Sequence, residues 1–198
     1  RIFAVAATAA STKIATAGED KTVRLWTAAG EPAGLLRHPG RVFSVAFAGA
    51  SRSDLLATGC EDGLMRIFTP EGRECGRADG HRGQVNSVCW NPRPARGWDV
   101  ASAGADGQVR LWRLPGRDQP GAINLQPVMT LAGAAGKIWQ ITACRQEPLL
   151  VGATDAGEVI LWDTHEPSPL EVLAGHAEAV WAVAVGPAEH RLISGGWD

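Results

Sequence analysis

Four residue types recur together in this sequence in a pattern that could do chemistry. His81, Ser102, Asp106 and Trp112 form the most complete set. A serine, a histidine and an aspartate are the parts of a nucleophilic acyl-transfer relay, in which the imidazole takes the hydroxyl proton and the carboxylate orients the ring. The same parts also satisfy one another when buried, since a histidine taken from water needs partners at both ring nitrogens and an aspartate needs donors. Repetition separates the two readings. Partial copies stand at Thr16, Asp20 and Trp26, at His38, Thr58 and Asp62 (with Phe68 at the tryptophan place), and at His176, Ser194 and Asp198. A set that returns along one chain is not a unique active site. The residues therefore point to a structural hydrogen-bond network, and no residue is assigned a catalytic role.

Other signals for chemistry are weak. HExxH, GxSxG, phosphate-loop and CxxC patterns are missing from the sequence. The run from Gly104 to Gly107 is a hairpin turn and not a phosphate cradle, because no helix follows it. His165 and His190 stand in polar stretches without regularly spaced partners. Cys60, Cys75, Cys89 and Cys144 show no repeating spacing and read as free thiols of a reducing compartment. No metal and no cofactor is expected. A net charge of −2 supplies no electrostatic footprint for nucleic acid or an anionic membrane. No apolar run approaches the ~18 residues of a helical membrane span. The expectation is an intracellular, cytoplasmic protein, with the nucleus as the alternative, without direct nucleic-acid or membrane contact.

The candidate residues ride on a repeated element. Ala101 to Trp112 (ASAGADGQVRLW) is a small-residue strand, a tight acidic turn and a second strand closed by tryptophan. Ala15 to Trp26 (ATAGEDKTVRLW), Ala57 to Phe68 (ATGCEDGLMRIF) and Val151 to Trp162 (VGATDAGEVILW) repeat it, and Ile193 to Asp198 (ISGGWD) is a shortened copy. The closing aromatics are spaced by 42 (Trp26 to Phe68), 44 (Phe68 to Trp112) and 50 residues (Trp112 to Trp162), against ~40–45 for a four-stranded propeller blade. The long spacing is explained by an enlarged surface loop from Leu114 to Pro127, which holds three prolines and two glycines.

Ahead of each copy lies an inner strand, IFAVAA from Ile2, VFSVAF from Val42, VNSVCW from Val85, IWQITA from Ile138 and VWAVAV from Val180. Apolar residues at its first, fourth and sixth places predict a bulge followed by period-two alternation. Weaker outer strands are expected near Gly34 to Arg37, Arg73 to Arg77, Val128 to Leu131 and Leu170 to Leu173. The Asp- and Gly-bearing turns suit two-strand hairpins. The reading is all-β, a single domain over 1–198 with repeats at about 1–37, 38–80, 81–132, 133–174 and 175–198.

This pattern resembles the WD-repeat β-propeller family. The likeness is carried by Gly80-His81, the inner strand after it, Ser102, Asp106 and Leu111-Trp112, with Gly175-His176 repeating the opening pair. It implies a propeller of four-stranded antiparallel blades, here about five with the last incomplete, from a ring of about seven. The chain opens on Arg1 and stops within a repeat; it is expected to be a piece of a longer protein whose unpaired terminal edges favour aggregation. The resemblance also implies a hydrogen-bonded chain in each blade, from the third-strand tryptophan to the second-strand Ser/Thr, then His, then Asp. The fourth repeat departs most, with Ala134, Gly152 and Ala156 at the His, Ser/Thr and Asp places. That blade should depend on apolar packing, leave the Trp162 indole N–H to water and tolerate Gly152→Ser. Ser102→Ala should cost about 1–3 kcal/mol by stranding a buried partner.

In the family, three positions cluster at one rim of the central channel, where partner peptides dock. Carried over, they are Phe3, Phe43, Asn86, Trp139 and Trp181 just inside the inner strands; Arg1, Arg41, Gln84, Lys137 and Ala179 two residues earlier; and Glu19, Glu61, Ala105, Asp155 and Trp197 before the turn position. Aromatics and arginine dominate interface energetics. Arg41, Phe43, Glu61, Gln84, Asn86, Lys137, Trp139, Asp155, Trp181 and Trp197 therefore form a candidate partner-binding rim, with packing between blades as the competing use of the aromatics. The implied function is a non-catalytic scaffold for protein–protein interaction, binding other proteins or peptides as a subunit of a larger complex. The alternatives are a scaffold subunit of an RNA- or chromatin-handling complex, and an enzyme or small-ligand propeller whose site lies in repeats outside this chain.

Overall fold

A strand covered on both faces can hold only small or apolar residues, and this rule places the second strand inside the sheet in each of the four four-stranded repeats. LATGC (β6, Leu56–Cys60) and VASAG (β10, Val100–Gly104) are buried at every position. The computed structural model describes residues 1–8, 10, 12–49, 55–93, 97–114, 124–186 and 191–198. His190 and residues 115–123 of the enlarged loop lie outside the described residues.

Each repeat folds into one antiparallel sheet, hereafter a blade. Blade 1 is β1 (Ile2–Ala7), β2 (Lys13–Gly18), β3 (Thr22–Thr27) and β4 (Pro32–Arg37). Blade 2 is β5 (Val42–Phe47), β6, β7 (Met65–Phe68) and β8 (Glu74–Ala78). Blade 3 is β9 (Val85–Trp90), β10, β11 (Val109–Arg113) and β12 (Gln126–Leu131). Blade 4 is β13 (Ile138–Ala143), β14 (Leu149–Thr154), β15 (Glu158–Asp163) and β16 (Pro169–Ala174), and blade 5 is the pair β17 (Val180–Val185) and β18 (Leu192–Gly196). The architecture is a partial β-propeller. The inner strands run over the residues the sequence predicts; the outer strands of blades 1, 3 and 4 extend one or two residues further, and that of blade 2 is shifted by one residue.

The core is divided among the interfaces between blades. Val23, Leu25, Val42, Val45 and Leu56 fill the first; Met65, Ile67, Val85, Val88 and Trp112 the second; Leu111, Leu131, Ile138, Ile160 and Trp162 the third; and Val151, Val159, Val180 and Val183 the fourth. The faces of the terminal blades expose Ile2, Val5 and Ile193.

Polar staples tie neighbouring inner strands. Ser44 Oγ accepts from the Val88 amide at 3.0 Å, Ser87 Oγ from the Ile141 amide at 3.0 Å and Gln140 Oε1 from the Val183 amide at 2.9 Å. All three acceptors stand at the third place of their strand. At the end of the enlarged loop, Leu125 is buried and its amide donates to the Arg77 carbonyl at 2.7 Å, while Asn124 bridges Arg77 in parallel. This part is no surface loop: it packs on the outer strand of blade 2.

Candidate functional site

Two sets of side chains are positioned by the blades, one inside them and one at the rim. The inner set is complete in blade 3. His81 Nδ1 lies 2.9 Å from Asp106 Oδ1 and His81 Nε2 lies 2.8 Å from Ser102 Oγ, which also accepts the Trp112 indole N–H at 2.8 Å. With Asp106 ionised, Nδ1–H donates to the carboxylate, and Nε2 accepts the Ser102 hydroxyl proton. Burial pulls the His81 pKa below its ordinary value against the pull of Asp106. Burial works to raise Asp106, but hydrogen bonds from His81 and the Arg82 amide hold its carboxyl low. Ser102 is fully buried with its oxygen engaged by an indole, so a substrate carbonyl cannot reach it and the acyl-transfer geometry of the opening constellation is lost. Nor is Cys89 a ready nucleophile, since burial pushes its thiol up to about 12.

The other blades carry parts of this chain. In blade 1 the Trp26 indole donates to Thr16 Oγ1 at 3.0 Å, and Asp20 accepts from Thr22 and Arg24. In blade 5 His176 joins Asp198 at 2.7 Å and Ser194 at 2.8 Å. Blade 2 departs from expectation. His38 Nε2 meets Thr58 Oγ1 at 3.0 Å, but Asp62 is taken by Arg66 at 2.6 Å and the buried His38 Nδ1 has no partner among the described residues. Burial, reinforced by Arg66, lowers the His38 pKa to about 4.

Blade 4 corrects two expectations. The Trp162 indole N–H does not go to water: the residue is fully buried and donates to the Ala132 carbonyl at 2.8 Å. Gly152 is not an idle replacement, because a Cβ there would stand 2.8 Å from Trp162 Cζ3 and 3.0 Å from Cη2. The indole occupies the space that a serine side chain would need.

The rim is built by the bulge. In blades 1, 2, 4 and 5 the register slips once near the start of the inner strand, at Phe3, Phe43, Trp139 and Trp181, and in blade 3 it slips at Asn86. A bulge leaves one residue unpaired and re-aims its side chain, so the five carried-over positions share one cause. Phe3 and Phe43 meet at 5.2 Å between centroids. Trp139 stacks on Trp181 at 4.2 Å and 28°, and Trp181 meets Trp197 at 5.2 Å and 41°. Lys137 Nζ lies 5.8 Å from the Trp139 centroid. Trp181 is 36% and Trp197 71% exposed. The aromatics thus bridge adjacent blades and still face solvent.

Charge surrounds them unevenly. Arg41 pairs with Glu19 at 3.7 Å, and its amide donates to Glu61 at 3.0 Å. Asp155 sits against Gly136, and its amide donates to the Lys137 carbonyl at 3.0 Å. Asn86 does not stand free at the rim: it is buried, accepts from Gln84 at 2.8 Å and donates to the Ile138 carbonyl at 2.9 Å. At the far end of the inner strands a cavity of about 960 Å³ is lined by Ala7, Ala46, Trp90, Ala143 and Val185, one from each blade, so the five blades curve around a common channel.

The family profile described as WD domain, G-beta repeat matches residues 1–27, 30–69, 72–113 and 167–198. The chain belongs to the WD-repeat family. Blade 4, the departing repeat, lies largely between the matched WD segments. The chain is similar to the ribosome biogenesis protein ytm1 of Botryotinia fuckeliana, 29% identical over 59% of this chain and 25% of that protein. It is 28% identical to bovine coronin-7 over 88% of this chain and 19% of that protein. It is 30% identical to the mouse tRNA (34-2'-O)-methyltransferase regulator WDR6 over 76% of this chain and 14% of that protein. These WD-repeat relatives are much longer, and the chain spans a quarter or less of their lengths.

Two structural sets escape a reading aimed at His, Ser and Asp. Arg24, Arg66 and Arg110 each clamp the turn aspartate four residues earlier. Their signal is the arginine in TVRLW, MRIF and VRLW. The staples Ser44, Ser87 and Gln140 are signalled by a polar residue at the third place of an otherwise apolar strand.

Proposed function

We propose that this chain is a non-catalytic scaffold module that docks partner proteins on its rim, chiefly over blades 4 and 5. The observation that carries the proposal is the ladder of Trp139, Trp181 and Trp197, two of them substantially exposed. Indole surface held in water by neighbouring rings, with charged groups beside it, is the composition of an interface hot spot. Arg41, Phe43 and Glu61 extend the surface over blade 2, and Gln84 lies between the two regions. Asn86 contributes by fixing blade 3 to blade 4.

The names of the relatives favour one specialisation. One is a ribosome biogenesis protein and another regulates a tRNA methyltransferase, which supports a scaffold subunit of an RNA-handling complex, with protein contacts as its direct task. Its compartment, cytoplasmic or nuclear, follows that complex. The test is affinity capture with the 198-residue chain and its Trp181→Ala and Arg41→Ala variants, after thermal unfolding shows each variant folded. A hot-spot loss of about 2 kcal/mol, roughly thirtyfold in affinity, is expected for Trp181→Ala. Unchanged capture of every partner by both variants would show that the rim is not the docking surface.

A further inference from the structure

The two ends of the channel differ in charge. At the rim acids and bases are interspersed, with Arg41 meeting both Glu19 and Glu61. At the far end, the cavity of about 960 Å³ is lined by Arg93 and Arg145 and, among the described residues, by no carboxylate. Neither arginine belongs to a terminal blade. Arg93 stands in the β9–β10 connection of blade 3 and Arg145 in the β13–β14 connection of blade 4, and both are exposed.

The fold positions Arg93. Asn91 donates to the Trp98 carbonyl at 2.9 Å and accepts the Arg93 amide at 2.9 Å, which fixes the turn that carries the arginine. Arg93 Nη1 then crosses to blade 4 and donates to the Gln146 carbonyl at 3.0 Å, one residue from Arg145. The cavity wall beside them is made of small residues, Ala46, Gly49 and Ala143, and Trp90 is pinned there by its indole bond to the Ala46 carbonyl at 2.9 Å. The carboxylates of the same two connections are placed elsewhere. Asp99 is buried and accepts the Leu114 amide at 2.7 Å, while Glu147 lines a small adjoining crevice that Arg93 shares, beside Trp98. The sequence repeats the feature: Arg52 and Arg191 stand in the matching connections of blades 2 and 5, Arg52 outside the described residues.

We infer that the far mouth of the channel receives a short acidic segment of a partner protein, its Asp or Glu carboxylates against Arg93 and Arg145. This docking surface is separate from the rim and does not depend on it. A cleft with charge of one sign and low-dielectric walls focuses its field and concentrates counter-ions. The planar guanidinium fork matches a carboxylate, and a side chain already held across the blade boundary loses little freedom on binding. The phosphates of a nucleic acid carry the same sign, but a strand needs a basic track along its backbone. Beyond the cavity, Glu147 and Glu166 stand exposed on blade 4 and oppose such a track. A short acidic peptide ends within the mouth.

The 198-residue chain is titrated into fluorescein-labelled hexaglutamate, hexaglutamine with the same label, and a labelled oligouridylate of equal length, with anisotropy as the readout. Glutamine keeps the shape and removes the charge. The glutamate peptide is expected to bind about fivefold more tightly than the glutamine peptide, and the ratio to fall as salt is added. Arg93→Gln combined with Arg145→Gln is expected to bring that ratio close to unity, whereas Trp181→Ala at the rim leaves it unchanged. Arg145→Gln alone, which keeps the contact of Arg93 with Gln146, is expected to reduce the ratio and serves as the test if the double variant unfolds. Equal binding of the two peptides, tighter binding of the oligouridylate, or a ratio that survives the arginine substitutions or added salt overturns the inference. A ratio lost in Trp181→Ala would move the acidic site to the rim and overturn it as well.

Discussion

In blade 3 the Trp112 indole gives its proton to Ser102, whereas in blade 4 the Trp162 indole gives its proton to the main-chain carbonyl of Ala132 and lays its ring over Gly152. Both rings are buried. The third-strand tryptophan therefore needs a protein acceptor for its indole N–H, and the polar spine is one of two ways to supply it. The spine is also exchanged as a unit: Ala134, Gly152, Ala156 and Ile160 stand in blade 4 where blade 3 has His81, Ser102, Asp106 and Arg110. A half-built spine strands polar atoms in a low-dielectric interior, which is worse than having none. Blade 2 shows the intermediate state, with Asp62 captured by Arg66 and His38 Nδ1 left without a partner, a defect worth about 1–3 kcal/mol.

Acid should separate the two kinds of blade most widely. The folded pKa values of His38 and His81 are lowered, His38 to about 4, chiefly by burial. The unfolded chain therefore takes up these protons first, so stability is full above the ordinary histidine value and falls as pH drops toward 4. For His38 the loss is about 3 kcal/mol at pH 4. Asp62 and Asp106, also held low in the fold, add a loss at still lower pH. Hydrogen exchange at pH 7 and 4.5 should show protection falling in β5–β12 before β13–β16. Uniform loss across all blades would remove the distinction.

Gly152→Ser, which restores the family residue, should destabilise by about 2–3 kcal/mol, because the new Cβ overpacks the Trp162 ring. Urea unfolding decides this; a neutral result would mean that the ring yields readily. Ser102→Ala should cost about 1–3 kcal/mol, since it strands both the Trp112 N–H and His81 Nε2. If the alanine variant unfolds at the wild-type urea midpoint, the spine is dispensable even where it is complete.

The strands, the bulges and the repeat count were legible because each is set by neighbours within a few residues: period-two alternation, Asp-Gly turns and small residues in the central strand. The complete spine of blade 3 was legible too, since His, Ser, Asp and Trp appear together at regular spacing. The rim positions could be placed in a column, but their exposure could not. Asn86 and Phe43 hold the same position in the repeat, yet Asn86 is tied to the Ile138 carbonyl and buried while Phe43 meets Phe3 and stays half-buried. What separates them is the residue each meets on a neighbouring strand.

The amino-acid order alone determined that this chain is an array of β-blades whose third strands close on an aromatic residue, because those features are local and repeated. Only the tertiary structure decided that Ala132 serves Trp162, that Arg66 takes Asp62 from His38, and that tryptophans of blades 4 and 5 form a ladder. Those outcomes depend on a donor finding the nearest acceptor, or a ring the nearest ring, across a blade or a blade boundary. Spacing along the chain brings such groups close, but distance and burial choose which of them meet.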